Sequence, residues 1–218
     1  MFCAVLTLLA LTSPLCVKED GPPDFCHDLD CPKYTVKDSS LGPDVELRSY
    51  EAGVWVSTNI KGVRYDKAVG TGFMRLFAYI SGANEDMKKI PMTAPVRVEL
   101  TPGQGPFCED HFKVSFFVPF DMQESGPPAP VDSTVFVDPA PAADYYVLSY
   151  PGRTNEKEII DKATSLVRAL DDQMLPYDFT SFFAAGYDSP FRIFNRHNEV
   201  WVAAGAELAA AQAEAKQA

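Results

Sequence analysis

Between Val45 and Thr58 the chain reads VELRSYEAGVWVST, and Val54, Val56 and Thr58 alternate with Trp55 and Ser57. A period of two belongs to a strand with one face buried, and Gly53 marks a bend or the break between two short strands. The period then changes. Val69, Phe73, Leu76 and Ile80 recur at i, i+4, i+7 and i+11, the stripe of a helix. Asp66 is the expected N-cap of that helix, and Ser81 and Gly82 its stop. Ile90 to Leu100 and Phe112 to Phe120 are strand-like runs joined by a Pro/Gly turn region at Thr101 to Pro106.

Asp121 to Ser133 is a polar, proline-rich connector that cannot enter a sheet interior. After it the order of elements returns. Val135 to Val137 and Tyr145 to Tyr150 are strand-like. Asn155 with Glu158 is a capping-box start for a helix whose stripe is Ile159, Ala163, Leu166 and Leu170. Phe182 to Ala185 and Glu199 to Ala203 supply closing strands. Two units of strand, helix, strand, strand predict one pseudo-symmetric α+β domain with a helix from each unit. The repeat lies in the order of elements, not in matched residues. Residues 203–218 are rich in Ala, Glu and Gln, a tail with no stripe to bury.

The ends of the chain change this picture little, but they change the expected setting. Phe2 to Leu11 is apolar apart from Thr7, and charge begins only at Lys18. About ten apolar residues are too few to cross a hydrocarbon core of ~30 Å as a helix, and they suit a secretory signal. Residues 1–17 are therefore expected to be a removed signal peptide and 18–33 a polar lead segment. Cysteine usage agrees with export: Cys26 and Cys31 bracket CHDLDC, close enough to join in an oxidising compartment. A metal at His27, Asp28 and Asp30 would need a further Cys/His pair, which the sequence does not supply. Cys108 is left as a free thiol, a buried hydrophobe or an alternative partner.

Net charge is −11 over 218 residues, from 19 Lys plus Arg against 30 Asp plus Glu. That balance argues against a sequence-independent grip on nucleic acid or anionic lipid, which rests on Lys/Arg neutralisation. The sequence holds no GxGxxG, Walker loop, GxSxG, HExxH or CxxC, so no enzyme class is indicated. The three histidines are scattered: His111 reads as a rim residue at a strand start, and His197, between Arg196 and Asn198, as a solvated loop histidine.

The first helix has an unusual face. Gly70, Met74 and Phe77 carry the apolar stripe around one shoulder, where an amphipathic helix normally turns polar. Gly70 and Gly72 each cost ~1 kcal/mol relative to Ala inside a helix. Close packing against the sheet answers that cost in one reading. In the other, a flat apolar ligand lies over Gly70 beside Met74 and Phe77.

Taken together, RSY at Arg48 to Tyr50, WVST at Trp55 to Thr58, TGF at Thr71 to Phe73, MKKIPMTAPVRVEL at Met87 to Leu100, GPPAP at Gly126 to Pro130 and AAGYDSPFRIFNRHNEVWV at Ala184 to Val202 resemble the SOUL/heme-binding protein family. The resemblance runs in order from Tyr34 to Val202. It implies a distorted antiparallel β-barrel of two βαββ units with two flanking helices, and non-covalent binding of heme or another tetrapyrrole. One branch of the family places an axial histidine in the segment that here reads RSY, where this chain has Ser49. The other places the porphyrin on the first helix and carries Arg, Met and Lys where this chain has Gly70, Phe73 and Ala78, and Lys where it has Arg192.

The expected site is therefore Gly70, Phe73, Met74 and Phe77 for area, with Arg192, and secondarily Arg75, for the propionates. His111, Met74 and Met92 are the remaining iron-ligand candidates, and no fixed axial ligand or other metal site is expected. The expected role is an extracellular carrier or scavenger of heme. The alternative is a structural or interaction protein that kept the fold and lost the ligand. A hydrolase would draw on Glu51, Glu85 or Tyr79.

Overall fold

A computed structural model describes residues 22–101, 111–189 and 191–205. The signal-peptide reading, Cys108, most of the Thr101–Pro106 turn and most of the tail lie outside the described residues.

Nine strands and two helices follow one another as β1 (Tyr34–Asp38), β2 (Val45–Tyr50), β3 (Gly53–Lys61), α1 (Tyr65–Ile80), β4 (Val96–Thr101), β5 (His111–Phe117), β6 (Val135–Ala140), β7 (Ala143–Pro151), α2 (Glu156–Asp172), β8 (Tyr177–Gly186) and β9 (His197–Ala204). All pairings are antiparallel, in the spatial order β1-β2-β7-β9-β8-β4-β5-β3-β6. The sheet curls into a half-barrel. Its symmetry is visible in that order: β3, α1, β4, β5 and β7, α2, β8, β9 are equivalent units that meet where β4 pairs with β8. Each unit also lends a strand to the other, since β2 pairs with β7 and β6 with β3.

That exchange explains Gly53. The chain breaks there into two strands, β2 and β3, that lie in different halves of the sheet. Alternation along each strand sends one set of side chains under the helices and the other to the opposite face. Val56, Val98, Val114, Val200 and Val202 belong to the first set and form one core with Leu76 and Ile80 of α1 and Ile159, Leu166 and Leu170 of α2. Tyr50, Val147, Ala185 and Trp201 belong to the second and cluster with Cys26, Cys31 and Tyr187.

Several boundaries differ from the sequence reading, each for a local reason. The N-cap of α1 is Arg64, with no side-chain cap, and Asp66 sits in the first turn. The run from Ile90 becomes a strand only at Val96, after the Ala94–Pro95 cis peptide. β5 stops at Phe117 because Pro119 opens a short 3-10 turn at Phe120–Met122. Strand β1 was not legible at all: as an edge strand paired only with β2 it has largely exposed residues and no buried alternation. At α2 the expected N-cap is present, with Asn155 Oδ1 accepting from the Glu158 amide at 3.1 Å. Cys26 and Cys31 form a disulfide.

Candidate functional site

The two glycines of α1 have different causes. At Gly72 a Cβ would fall 2.5 Å from Val114 Cγ2, so the missing side chain lets the helix sit against β5. At Gly70 nothing lies within 4 Å of that position. The helix is turned further than the sequence stripe suggested: Ala68, Gly72, Leu76, Tyr79 and Ile80 are buried, whereas Val69 and Phe73 are only partly so. The expected core stripe is corrected accordingly. Sheet curvature lets Ala68 and Gly72, the smallest side chains, approach closest.

That rotation leaves a shoulder uncovered. Met74 is 62% exposed and Phe77 44%. Phe73 lies between core and solvent, its ring edge-on to Phe116 at 5.3 Å and nearly parallel to Phe77 at 5.8 Å. Gly70, Phe73, Met74 and Phe77 thus form a continuous apolar ledge, with the exposed Lys67 one turn before Gly70 on the same face. None of these ledge residues lines a principal cavity, so the surface is open rather than a cleft.

The charged and ligating residues expected with the ledge are dispersed. Arg192 is on the loop after β8, its Nε 3.2 Å from Asp188 and an Nη 3.3 Å from His27 Nδ1. Strand register puts this loop at the end of the sheet where α1 finishes: Phe116, beneath Phe73, is paired with Val96, and Val96 with Gly186 at the end of β8. The same loop exposes Phe191 (91%), Ile193 and Phe194. Arg75 points back to the sheet, donating to Thr58 Oγ1 at 3.3 Å.

Ser49 lies on β2, between β1 and β7, whereas α1 packs on β3, β5 and β6, so the axial-ligand segment and the ledge are separate places. His111 is an exposed residue at the start of β5, and Met92 is packed against the core. Of the hydrolase candidates, Tyr79 is buried with its hydroxyl donating to the Pro128 carbonyl at 2.7 Å, and Glu51 lies in a cavity on the other face of the sheet. Among the described residues no group of three His, Cys, Asp or Glu is placed to hold a metal.

His197 corrects its reading as a solvated loop residue. It opens β9, stacks on Phe25 at 3.9 Å, and its Nε2 meets Glu199 Oε1 at 2.8 Å. Glu199 is fully buried, and it also accepts from Arg48 (2.8 Å), Tyr187 (2.7 Å) and Trp201 Nε1 (2.7 Å). Burial alone would raise its carboxyl pKa; the His197 hydrogen bond, the Arg48 guanidinium and the Tyr187 hydroxyl outweigh that and hold it at about 2. Sequence reasoning missed this network. Its only trace was a charged residue directly before the apolar run VWV, Glu199 in NEVWV.

The fold recurs in solved structures. The EcmrR C-terminal domain superposes with a TM-score of 0.53 at 10% identity, over 73% of this chain and 95% of that one, a likeness of fold alone. Sequence relatives are nearer. Heme-binding protein 2 of Homo sapiens is 36% identical over 157 residues, 72% of this chain and 76% of its own. Heme-binding protein 1 of Xenopus tropicalis is 29% identical over 169 residues, 78% of this chain and 88% of its own. The SOUL heme-binding protein family matches residues 29–203, nearly the whole described fold, and this chain belongs to that family.

Proposed function

We propose that the protein holds heme, or another tetrapyrrole, non-covalently against the outer face of α1. The observation that carries this reading is the apolar ledge of Phe73, Met74 and Phe77 beside Gly70, left open where the equivalent helix surface should be polar. A porphyrin is a flat apolar plate with two carboxylates; it needs apolar area first and cations at its edge second. The absent side chain at Gly70 admits a plate flat against the helix. Lys67, exposed one turn before Gly70 and without an ion pair among the described residues, is a cation for one propionate. Arg192, on the β8–β9 loop, is already engaged with Asp188 and His27. Among the described residues Met74 is the one candidate iron ligand on the ledge and no histidine stands beside it, so affinity rests chiefly on area and propionate contacts, which suits transport better than redox chemistry.

Titration of the purified protein with hemin tests this. A saturable Soret shift is expected, weakened at least about tenfold by Phe77→Asp, because a charge then replaces the apolar contact. Ile160→Asp on the exposed side of α2 should leave it unchanged. Loss of the shift in both variants equally would remove the ledge from the site. No saturable shift in the wild type would leave a family fold that has lost its ligand.

We also propose that the protein is exported and works as a carrier or scavenger outside the cytosol. The apolar run Phe2 to Leu11 and the Cys26–Cys31 disulfide support that setting. The mature protein should then lack roughly the first 17 residues by intact mass; a retained Met1 contradicts it.

A further inference from the structure

A cavity of about 530 Å³ opens on the face of the sheet opposite α1. Its walls are Tyr50, Trp55, Phe117, Tyr145 and Trp201, and Arg97 is its one buried charge. The volume is that of a small-molecule site.

Two arginines are buried on this face, and their circumstances differ. Arg48 is paired, its Nε 2.7 Å from Glu46 and an Nη 2.8 Å from Glu199. Arg97, 5% exposed, forms no ion pair among the described residues, and its Nε has no hydrogen-bond acceptor. Its guanidinium lies 3.8 Å from the Trp55 ring centroid and 4.5 Å from that of Phe183, held by aromatic faces with no carboxylate in salt-bridge contact among the described residues. Burial depresses its pKa, against the pull of Tyr145, Glu99, Asp138 and Tyr50. A buried, uncompensated cation is costly, and an apolar side chain of similar length would fill the same space without that cost. A cation retained at the wall of an aromatic cavity implies an anion that enters it.

The mouth narrows the class further. Glu51, Asp121 and Glu124 are exposed there against the single exposed Lys33. A polyanion would be repelled, whereas one negative charge reaching Arg97 is matched by one positive charge. The aromatic walls suit a planar apolar body.

We propose that this cavity is a second binding site, for a small aromatic monocarboxylate whose carboxylate is taken by Arg97 and whose ring lies among Trp55, Tyr145 and Trp201. The site is independent of the α1 ledge, because β3, β4 and β5 present Trp55, Arg97 and Phe117 to one face and Val56, Val98 and Phe116 to the other.

The chain's two tryptophans both line the cavity, so intrinsic fluorescence reports its occupancy directly. The full-length protein is titrated with sodium benzoate and, separately, with benzamide, its neutral isostere. A saturable fluorescence change is expected with benzoate at an affinity at least about tenfold tighter than with benzamide. Arg97→Met should bring benzoate down to the benzamide level, and Phe77→Asp should change neither. Equal affinities for the two ligands in the wild type, or no saturable change with benzoate, would overturn the proposal without reliance on a variant's folding. Benzoate binding lost in Phe77→Asp would also overturn it, placing the carboxylate on the ledge. Hemin binding that survives Phe77→Asp yet is displaced by benzoate would sink the ledge reading and leave the Arg97 site standing.

Discussion

Helices α1 and α2 hold matching positions in the two halves of the sheet, yet they are built differently. α2 starts on a side-chain cap from Asn155, buries Ile159, Ala163, Leu166 and Leu170 along one stripe, and turns a mostly charged surface to water. α1 starts at Arg64 without a side-chain cap, carries two interior glycines, buries Ala68, Gly72, Leu76, Tyr79 and Ile80, and still leaves Met74 and Phe77 exposed. Folding requires only that each unit cover its half of the sheet. α2 does that and little else, with Ile160 its one large exposed apolar residue. α1 does it with Tyr65, Leu76, Tyr79 and Ile80 around two small residues, Ala68 and Gly72, and keeps Met74 and Phe77 outside. The surplus on α1 is what a pseudo-symmetric fold can devote to a ligand, because the other half carries the same structural task unaided.

The sharpest way to break this comparison is truncation on both helices. Leu166 is fully buried, and Leu166→Ala should lose about 2–5 kcal/mol, the transfer of the side chain plus the cavity left behind. Phe77→Ala removes a larger side chain from a position 44% exposed and should cost about 1 kcal/mol or less. Urea unfolding followed by far-UV circular dichroism reads both. If Phe77→Ala costs as much as Leu166→Ala, Phe77 belongs to the core and the ledge is not free.

How far the sequence carried the fold follows from the same contrast. The stripe of α2 was legible, because burial, cap and charge all point one way. So was the repeat of strand, helix, strand, strand, since it lies in local periods. The exchange of β2 and β6 between halves was not, because strand partners are non-local and period two is blind to them. At α1 the stripe was read from the apolar period, which holds for the buried Leu76 and Ile80, but Ala68 and Gly72 approach the sheet where Val69 and Phe73 were expected, and a hydrophobicity pattern gives a glycine no weight. The ledge residues Gly70, Met74 and Phe77 were legible as a departure from amphipathicity. The Arg48–Glu199 network and the unpaired Arg97 were not, because charged residues in strands read as solvent-facing unless the opposite face is known to be covered.

The two glycines of α1 sharpen the comparison at a smaller scale, since the same substitution is expected to change sign over two residues. Alanine is the better helix former by ~1 kcal/mol at either position. At Gly72 the new methyl meets Val114 Cγ2 at 2.5 Å and Val114 Cβ at 2.7 Å, and the valine is anchored in β5 and cannot yield freely. Gly72→Ala should therefore be net destabilising by about 1–3 kcal/mol, as the helix is forced off the sheet. At Gly70 no atom lies within 4 Å, and Gly70→Ala should stabilise by up to about 1 kcal/mol. If stability alone had shaped this helix, Gly70 would be the first position to become alanine. The same variant titrated with hemin separates the causes. A more stable protein that binds hemin less well shows the bare backbone at Gly70 to be ligand-contacting surface. A more stable protein with unaltered hemin binding moves the macrocycle's contact to Met74 and Phe77.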